Sequence, residues 1–121
     1  MRKQSILSFK HALEGIWTAT KDEPHLKFHF SAAFVVIILG VILKLTREDW
    51  AVIVLTIGLV IGLELTNTAI EEIVNSFTPD THPAAKKAKD VAAGAVLVAS
   101  VTAAVIGILI FLPYLIKFFG A

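Results

Sequence analysis

The sequence predicts an all-α integral membrane protein in which an amphipathic surface helix precedes three transmembrane helices. Three observations predict it. Of 121 residues, 56% are hydrophobic and only 17% charged, with a mean hydropathy of +0.78; soluble domains carry charge on about a quarter of their positions. The apolar residues gather in three blocks separated by polar segments. Ahead of the first block, apolar and charged residues instead mix with helical spacing. The length allows one domain, residues 1–121. A net charge of +1 gives no polyanion signal, so no nucleic-acid partner is expected. The absence of cysteine excludes disulfides, Cys-ligated zinc and thiol chemistry.

The elements follow in order. Ile6, Phe9, Leu13, Ile16 and Trp17 recur at helical spacing among Lys3, Lys10, His11 and Glu14, which predicts a surface helix over about residues 4–20. This segment has neither the long apolar run nor the small-residue cleavage site of a signal peptide. A first span is expected at about 28–45, where Lys27 and Lys44 bracket an apolar run and their stems can extend it by snorkelling. A polar turn, Thr46-Arg47-Glu48-Asp49, leads to a second span at about 50–75, with Trp50 at an interfacial anchor position. Glu64 interrupts this block, yet helical periodicity continues through Asn67, Ile70, Glu71 and Val74, and no Gly or Pro break comes before Pro79. The shorter alternative ends the helix at Leu63. The third span, about 88–116, has no charged residue from Val91 to Ile116, and Pro113 is expected to end or kink it. Gly58 and Gly62 form a G-x-x-x-G, which suits close helix packing, and Ala92-Ala93-Gly94-Ala95 is a second small-residue patch. Lys and Arg counts orient the chain: eight lie in residues 1–27 and 75–90, against Lys44, Arg47 and Lys117 on the other side. The N-terminus and the 75–90 loop are therefore expected in the cytoplasm of a bacterial cell membrane.

The polar residues of the second block carry the chemistry. Glu64, Asn67 and Glu71 are spaced i, i+3, i+7 and fall within roughly 60° on one helix face, with Thr68 on the same side and Glu72 projecting away. An ionisable residue inside a membrane segment is costly and points to function; the structural alternative is a polar contact that joins helices. A carboxylate just below the interface can take a proton from a lipid hydroxyl, and one at the interface can hold Mg²⁺. Asp22 and Glu23 before the first span, with Lys89 and Asp90 before the third, add oxygen ligands and a cation for phosphates. No P-loop or dinucleotide fingerprint is present. His25 and His29 flank the first span without a ligand constellation and are expected to be interfacial. Three thin spans cannot enclose a large pocket, so a homo-oligomer with sites between subunits is expected.

These residues resemble a known family. Glu64-Leu-Thr-Asn67-Thr-Ala-Ile-Glu71 is similar to the E-x-x-N-[ST]-A-I-E signature of the small prokaryotic membrane diacylglycerol kinases. Ala88-Lys89-Asp90 with the following Ala92-Ala93-Gly94-Ala95-Val96-Leu97 resembles their A-K-D-x-A-A-G-A-V-L stretch. Ser8-Phe9-Lys10-His11-Ala12, Gly15-Ile16-Trp17, Glu23, Phe28-His29 and Ile110-Phe111-Leu112-Pro113 match in order and spacing. His82-Pro83-Ala84-Ala85-Lys86-Lys87-Ala88-Lys89-Asp90 resembles the branch of undecaprenol kinases from Gram-positive bacteria.

The resemblance implies a homotrimeric bundle that transfers the γ-phosphate of MgATP to a lipid hydroxyl at the cytoplasmic interface, with composite sites between subunits. It implies Glu64 as the general base and Asn67 as its orienting neighbour. It implies Glu23 and Glu71 as ligands of the Mg²⁺ on the nucleotide, Lys89 as a phosphate contact and Asp90 as a nucleotide contact. Asp80 and His82 are implied in the nucleotide pocket. Asn75 departs from the family's usual Asp, and His25 from a frequent Asn. Diacylglycerol is the nearest alternative substrate; a small transporter or channel, or a structural assembly protein, are alternatives of other classes. Lys89, Asp90 and Glu23 count against the last two, which need none of them.

Overall fold

A computed structural model describes residues 3–79 and 81–120, and these residues form α-helices joined by short turns, with no strand among them. Helix α1 runs Lys3–Asp22, α2 Pro24–Leu43, α3 Arg47–Phe77 and α4 Pro83–Gly120. Three of them, α2, α3 and α4, are long and apolar enough to cross a membrane. In hydrocarbon every backbone N–H and C=O must find its partner within the segment, which a helix provides.

Helix α1 ends where Pro24 forces the residue before it out of helical backbone: Glu23 is extended (φ −107, ψ 113) and becomes the N-cap of α2, with Pro24 in its first turn. No residue of α1 is buried, so Ile6, Phe9, Leu13 and Trp17 stand exposed. Helix α2 spans 20 residues, or about 30 Å at 1.5 Å per residue, the thickness of the hydrocarbon layer. It buries only Leu26 and Gly40.

The α2–α3 turn is tighter than the sequence predicts. Lys44 adopts left-handed backbone (φ 58, ψ 56); its N–H reaches the carbonyl of Val41 at 3.3 Å, and that of Leu45 reaches Gly40 at 3.1 Å. This is a Schellman closure with a non-glycine residue in the left-handed position. Leu45 then folds back onto α2 beside Trp50. Gly40 makes this possible, since a Cβ there would lie 2.6 Å from Leu45 Cδ1 and 2.7 Å from Trp50 Cη2. The polar stretch expected as a turn is mostly the first turn of α3. Thr46 caps it by accepting from the Asp49 N–H at 3.2 Å, and Glu48 and Asp49 complement the helix dipole.

Leu45, Ile53 and Phe111 form the core at this end, with Val36, Leu39 and Trp50 packed around them. Pro113 does not end α4, which continues to Gly120. Contacts beyond the proline hold it. The Tyr114 hydroxyl donates to Asp49 Oδ2 at 2.7 Å and accepts from the Thr46 N–H at 3.0 Å, while Leu115 packs on the core. Gly58 and Gly62 are exposed, with open space where a Cβ would sit, so the G-x-x-x-G makes no helix contact within the chain. Helix α3 packs instead through Ile53, Val60, Glu64 and Asn67.

Two substitutions test this corner. Gly40→Ala should lower the thermal midpoint of the detergent-solubilised protein, because the displaced Leu45 and Trp50 cost about 1–3 kcal/mol. Tyr114→Phe should cost about 1–3 kcal/mol by stranding the Asp49–Thr46 turn. An unchanged midpoint in either would contradict the assigned packing.

Candidate active site

Helix α3 is 31 residues long, about 46 Å, and the hydrocarbon layer is about 30 Å thick. With Arg47 at one interface, about 20 residues cross the layer to the level of Asn67, which would set Glu64 just inside the far interface and Glu71 at it. Among the described residues Glu64 and Asn67 are the buried polar ones, 3% and 8% exposed. Asn67 Nδ2 donates to Glu71 Oε1 at 3.4 Å, and Asn67 Oδ1 is buried with no partner. From α2, His29 Nε2 approaches Glu64 Oε2 at 3.6 Å. Thr68 spends its hydroxyl on the Glu64 carbonyl at 3.0 Å.

A second polar group sits where α3 meets α4. Lys89 Nζ donates to Asn75 Oδ1 at 2.9 Å, and Lys86 Nζ to Asp90 at 2.6 Å. The hydrogen bond and charge of Asp90 hold the Lys86 ammonium above its ordinary pKa, so it stays protonated. Lys86, Lys89, Asp90 and Asn75 line a cavity of about 240 Å³. His82 lies outside that lining. Its Nδ1 accepts from the N–H groups of Ala84 and Ala85 at 3.2 and 3.4 Å and so caps α4. Asp80 is outside the described residues.

Glu23 belongs to a third group. It lines a groove of about 710 Å³ between α1 and α3, with Asp22 and Glu14 on one side and Thr68 and Glu72 on the other. Its side chain makes no cap bond to α2. Glu71 does not line this groove; Glu72, which the sequence places off the Glu64 stripe, does. Within one chain the structure thus brings Glu64, Asn67 and Glu71 together, and separately Lys89 with Asp90, and Glu23 with Glu72.

Among the described residues no three His, Asp or Glu side chains converge on a metal position. A magnesium ion carried by a nucleotide needs only one or two carboxylates beside the phosphates. Glu71, half-buried and held by the Asn67 amide, and Glu23, half-buried with no cap bond, are hard oxygen donors that fit such an ion. His29 is the polar residue that sequence reading did not connect to the site: it stands 35 positions from Glu64, and only the α2–α3 hairpin brings them together.

Residues 10–111 match the prokaryotic diacylglycerol kinase family. The chain belongs to this family. An undecaprenol kinase of Bacillus subtilis is 49% identical over 108 residues, covering 89% of this chain and 88% of that protein. A diacylglycerol kinase of Synechocystis is 38% identical over 113 residues, 93% of this chain and 65% of that protein. The diacylglycerol kinase of Haemophilus influenzae is 30% identical over 94 residues, 78% and 80% of the two chains. As a member of the diacylglycerol kinase family with three membrane-length helices, the protein is a multi-pass, ATP-dependent lipid kinase.

The orphaned Asn67 oxygen generates a prediction. A buried acceptor without a partner costs about 1–3 kcal/mol. Asn67→Leu should therefore leave the thermal midpoint equal or higher while turnover falls at least tenfold. A lower midpoint would show that Oδ1 finds a partner in the assembled enzyme.

Proposed function

We propose that the protein phosphorylates undecaprenol at the cytoplasmic face of a bacterial cell membrane, giving undecaprenyl phosphate, and that it does so as a homotrimer with sites completed between subunits. The observation that carries the reading is the buried Glu64 beside Asn67 at the level of the bilayer interface, where a lipid hydroxyl lies. The choice of alcohol rests on the 49% identity to the Bacillus subtilis enzyme. Helix α1 lies on the membrane surface in this reading, its apolar residues in the headgroup boundary. The apolar faces of α2, α3 and α4 pack against lipid and neighbouring subunits; α4 buries only Ala85, Ala92 and Phe111 within the chain.

Glu64 takes the proton from the lipid hydroxyl. The alcohol oxygen forms its bond to the γ-phosphorus as the bond from that phosphorus to the ADP oxygen breaks, so ADP leaves with the electron pair. The chain has no cysteine and Thr68 spends its hydroxyl on the Glu64 carbonyl, which suits direct in-line transfer driven by positioning and charge. Asn67 fixes the Glu71 carboxylate and borders Glu64. Glu71 and Glu23 would hold Mg²⁺, which supplies neutralisation of the phosphate oxygens when bound with ATP. Lys89 holds a phosphate and Asp90 the nucleoside part. Glu71 does not line the groove that holds Glu23 within one chain, which is the reason to assign them to one ion only across subunits.

Diacylglycerol is the second reading, favoured by the relatives of that name at 38% and 30% identity. Parallel assays in mixed micelles, with MgATP and each alcohol, decide between them. Undecaprenol is expected to be the faster substrate, and equal or greater transfer to diacylglycerol would overturn the choice. Glu64→Gln should reduce turnover by at least about 10²-fold with nucleotide binding retained, as loss of a general base does. Retained turnover would remove Glu64 from that role. Glu71→Gln should raise the Mg²⁺ concentration needed for half-maximal rate. Lys89→Met should raise the KM for ATP about tenfold, a change of 1.4 kcal/mol in binding, and an effect confined to the lipid would contradict it.

A further inference from the structure

The α2–α3 hairpin places a polar residue against Glu64 that the assigned chemistry does not use. His29 is 16% exposed and Glu64 4% exposed at their side chains, with Nε2 and Oε2 3.6 Å apart. The distance is slightly beyond a hydrogen bond, a geometry common in enzymes without substrate that tightens when the substrate arrives. Among the described residues, the other polar neighbours of Glu64 do not serve its carboxylate. Asn67 gives its amide to Glu71, and Thr68 bonds the Glu64 backbone.

His29 also borders an apolar space. It lines an open, apolar groove of about 160 Å³ between α2, α3 and α4, whose lining includes Ala33, Val36, Ile57, Val60 and Phe111. The imidazole therefore stands between an apolar space and the buried carboxylate. Phe28 meets the His29 ring edge to face at 5.5 Å.

We propose that His29 is the positioning residue of Glu64: its Nε2–H holds one carboxylate oxygen so that the other faces the lipid hydroxyl. The inference rests on Glu64 acting as the base, as set out above. The imidazole carries hydrogen at Nε2 for this and takes no part in bond making. A carboxylate left without a donor in an apolar setting turns toward whatever polar group it can reach, and a base misplaced by about 1 Å can lose 10²-fold in rate. The cost of losing His29 therefore falls on the chemical step and leaves nucleotide binding alone, because Lys89 and Asp90 lie in a separate cavity.

The test is steady-state kinetics of the full-length detergent-solubilised enzyme with MgATP and undecaprenol, on His29→Leu and His29→Gln. Glutamine can place an amide N–H near the position of Nε2; leucine keeps bulk without a donor. The expected result is a drop in kcat of at least about tenfold for His29→Leu with the KM for ATP unchanged, and recovery of most of that loss in His29→Gln. Equal kcat for the two variants, or a change confined to the KM for ATP, would overturn the proposal. Should His29→Leu fail to assemble on size exclusion, His29→Met takes its place and the same comparison with His29→Gln decides. Wild-type enzyme that transfers phosphate to no lipid alcohol defeats the parent reading instead, and active wild type with indifferent His29 variants defeats this one alone.

Discussion

Hydrocarbon cannot solvate a charge, so the depth at which Glu64 sits decides what it can do. That depth is the register of α3, and the register is fixed at the other end of the helix. Asp49 is 15 residues from Glu64, about 22 Å along the axis. There Lys44 turns the chain through left-handed backbone, Gly40 admits Leu45 and Trp50, and Thr46 caps the first turn of α3. Tyr114 then ties that turn to α4 through Asp49. A slip of one helical turn would move Glu64 by about 5.4 Å. Moved outward, the carboxylate would reach water; moved inward, it would lose sight of a hydroxyl at the interface. The rigid corner and the reactive end are separate parts of one rod.

The same rod grades its polar groups by depth. Glu64 and His29 face each other inside the apolar layer, Asn67 and Glu71 follow toward the interface, and Asn75 meets Lys89 beyond it. Each step along α3 lowers the cost of holding charge. In the proposed reaction this ordering matches the substrates. The alcohol comes from the membrane side and the triphosphate from water, and they meet at the residues between.

Much of this was legible in the sequence because hydropathy blocks and helical spacing are strong signals. The three apolar helices and the continuation of α3 past Glu64 follow from composition and from the absence of a break before Pro79. The Glu64, Asn67 and Glu71 stripe follows from the 3.6-residue period alone. Other features depend on contacts between distant positions and leave no local trace. His29 reads as one more interfacial histidine until α2 folds against α3. Pro113 reads as a helix end until Tyr114 and Leu115 bind beyond it. Gly58 and Gly62 satisfy a packing motif and face open space, whereas Gly40, which belongs to no motif, is the glycine that packing requires. His82 suits a nucleotide pocket by position, but its Nδ1 is engaged as a helix cap.

The departure at Asn75 acquires a physical meaning from Lys89. A carboxylate at that place, 2.9 Å from the ammonium, would pair with it and offset its charge. The amide oxygen holds the same side chain through a hydrogen bond and leaves the full positive charge in place. In the same cavity Lys86 and Asp90 satisfy each other at 2.6 Å. Of these two lysines, Lys89 is therefore the one with no acidic partner among the described residues. In the proposed reaction a phosphate would find that ammonium already oriented by the neutral Asn75 oxygen. The substitution keeps the geometry that positions Lys89 and removes the competitor for its charge, which is what a residue assigned to hold a phosphate needs.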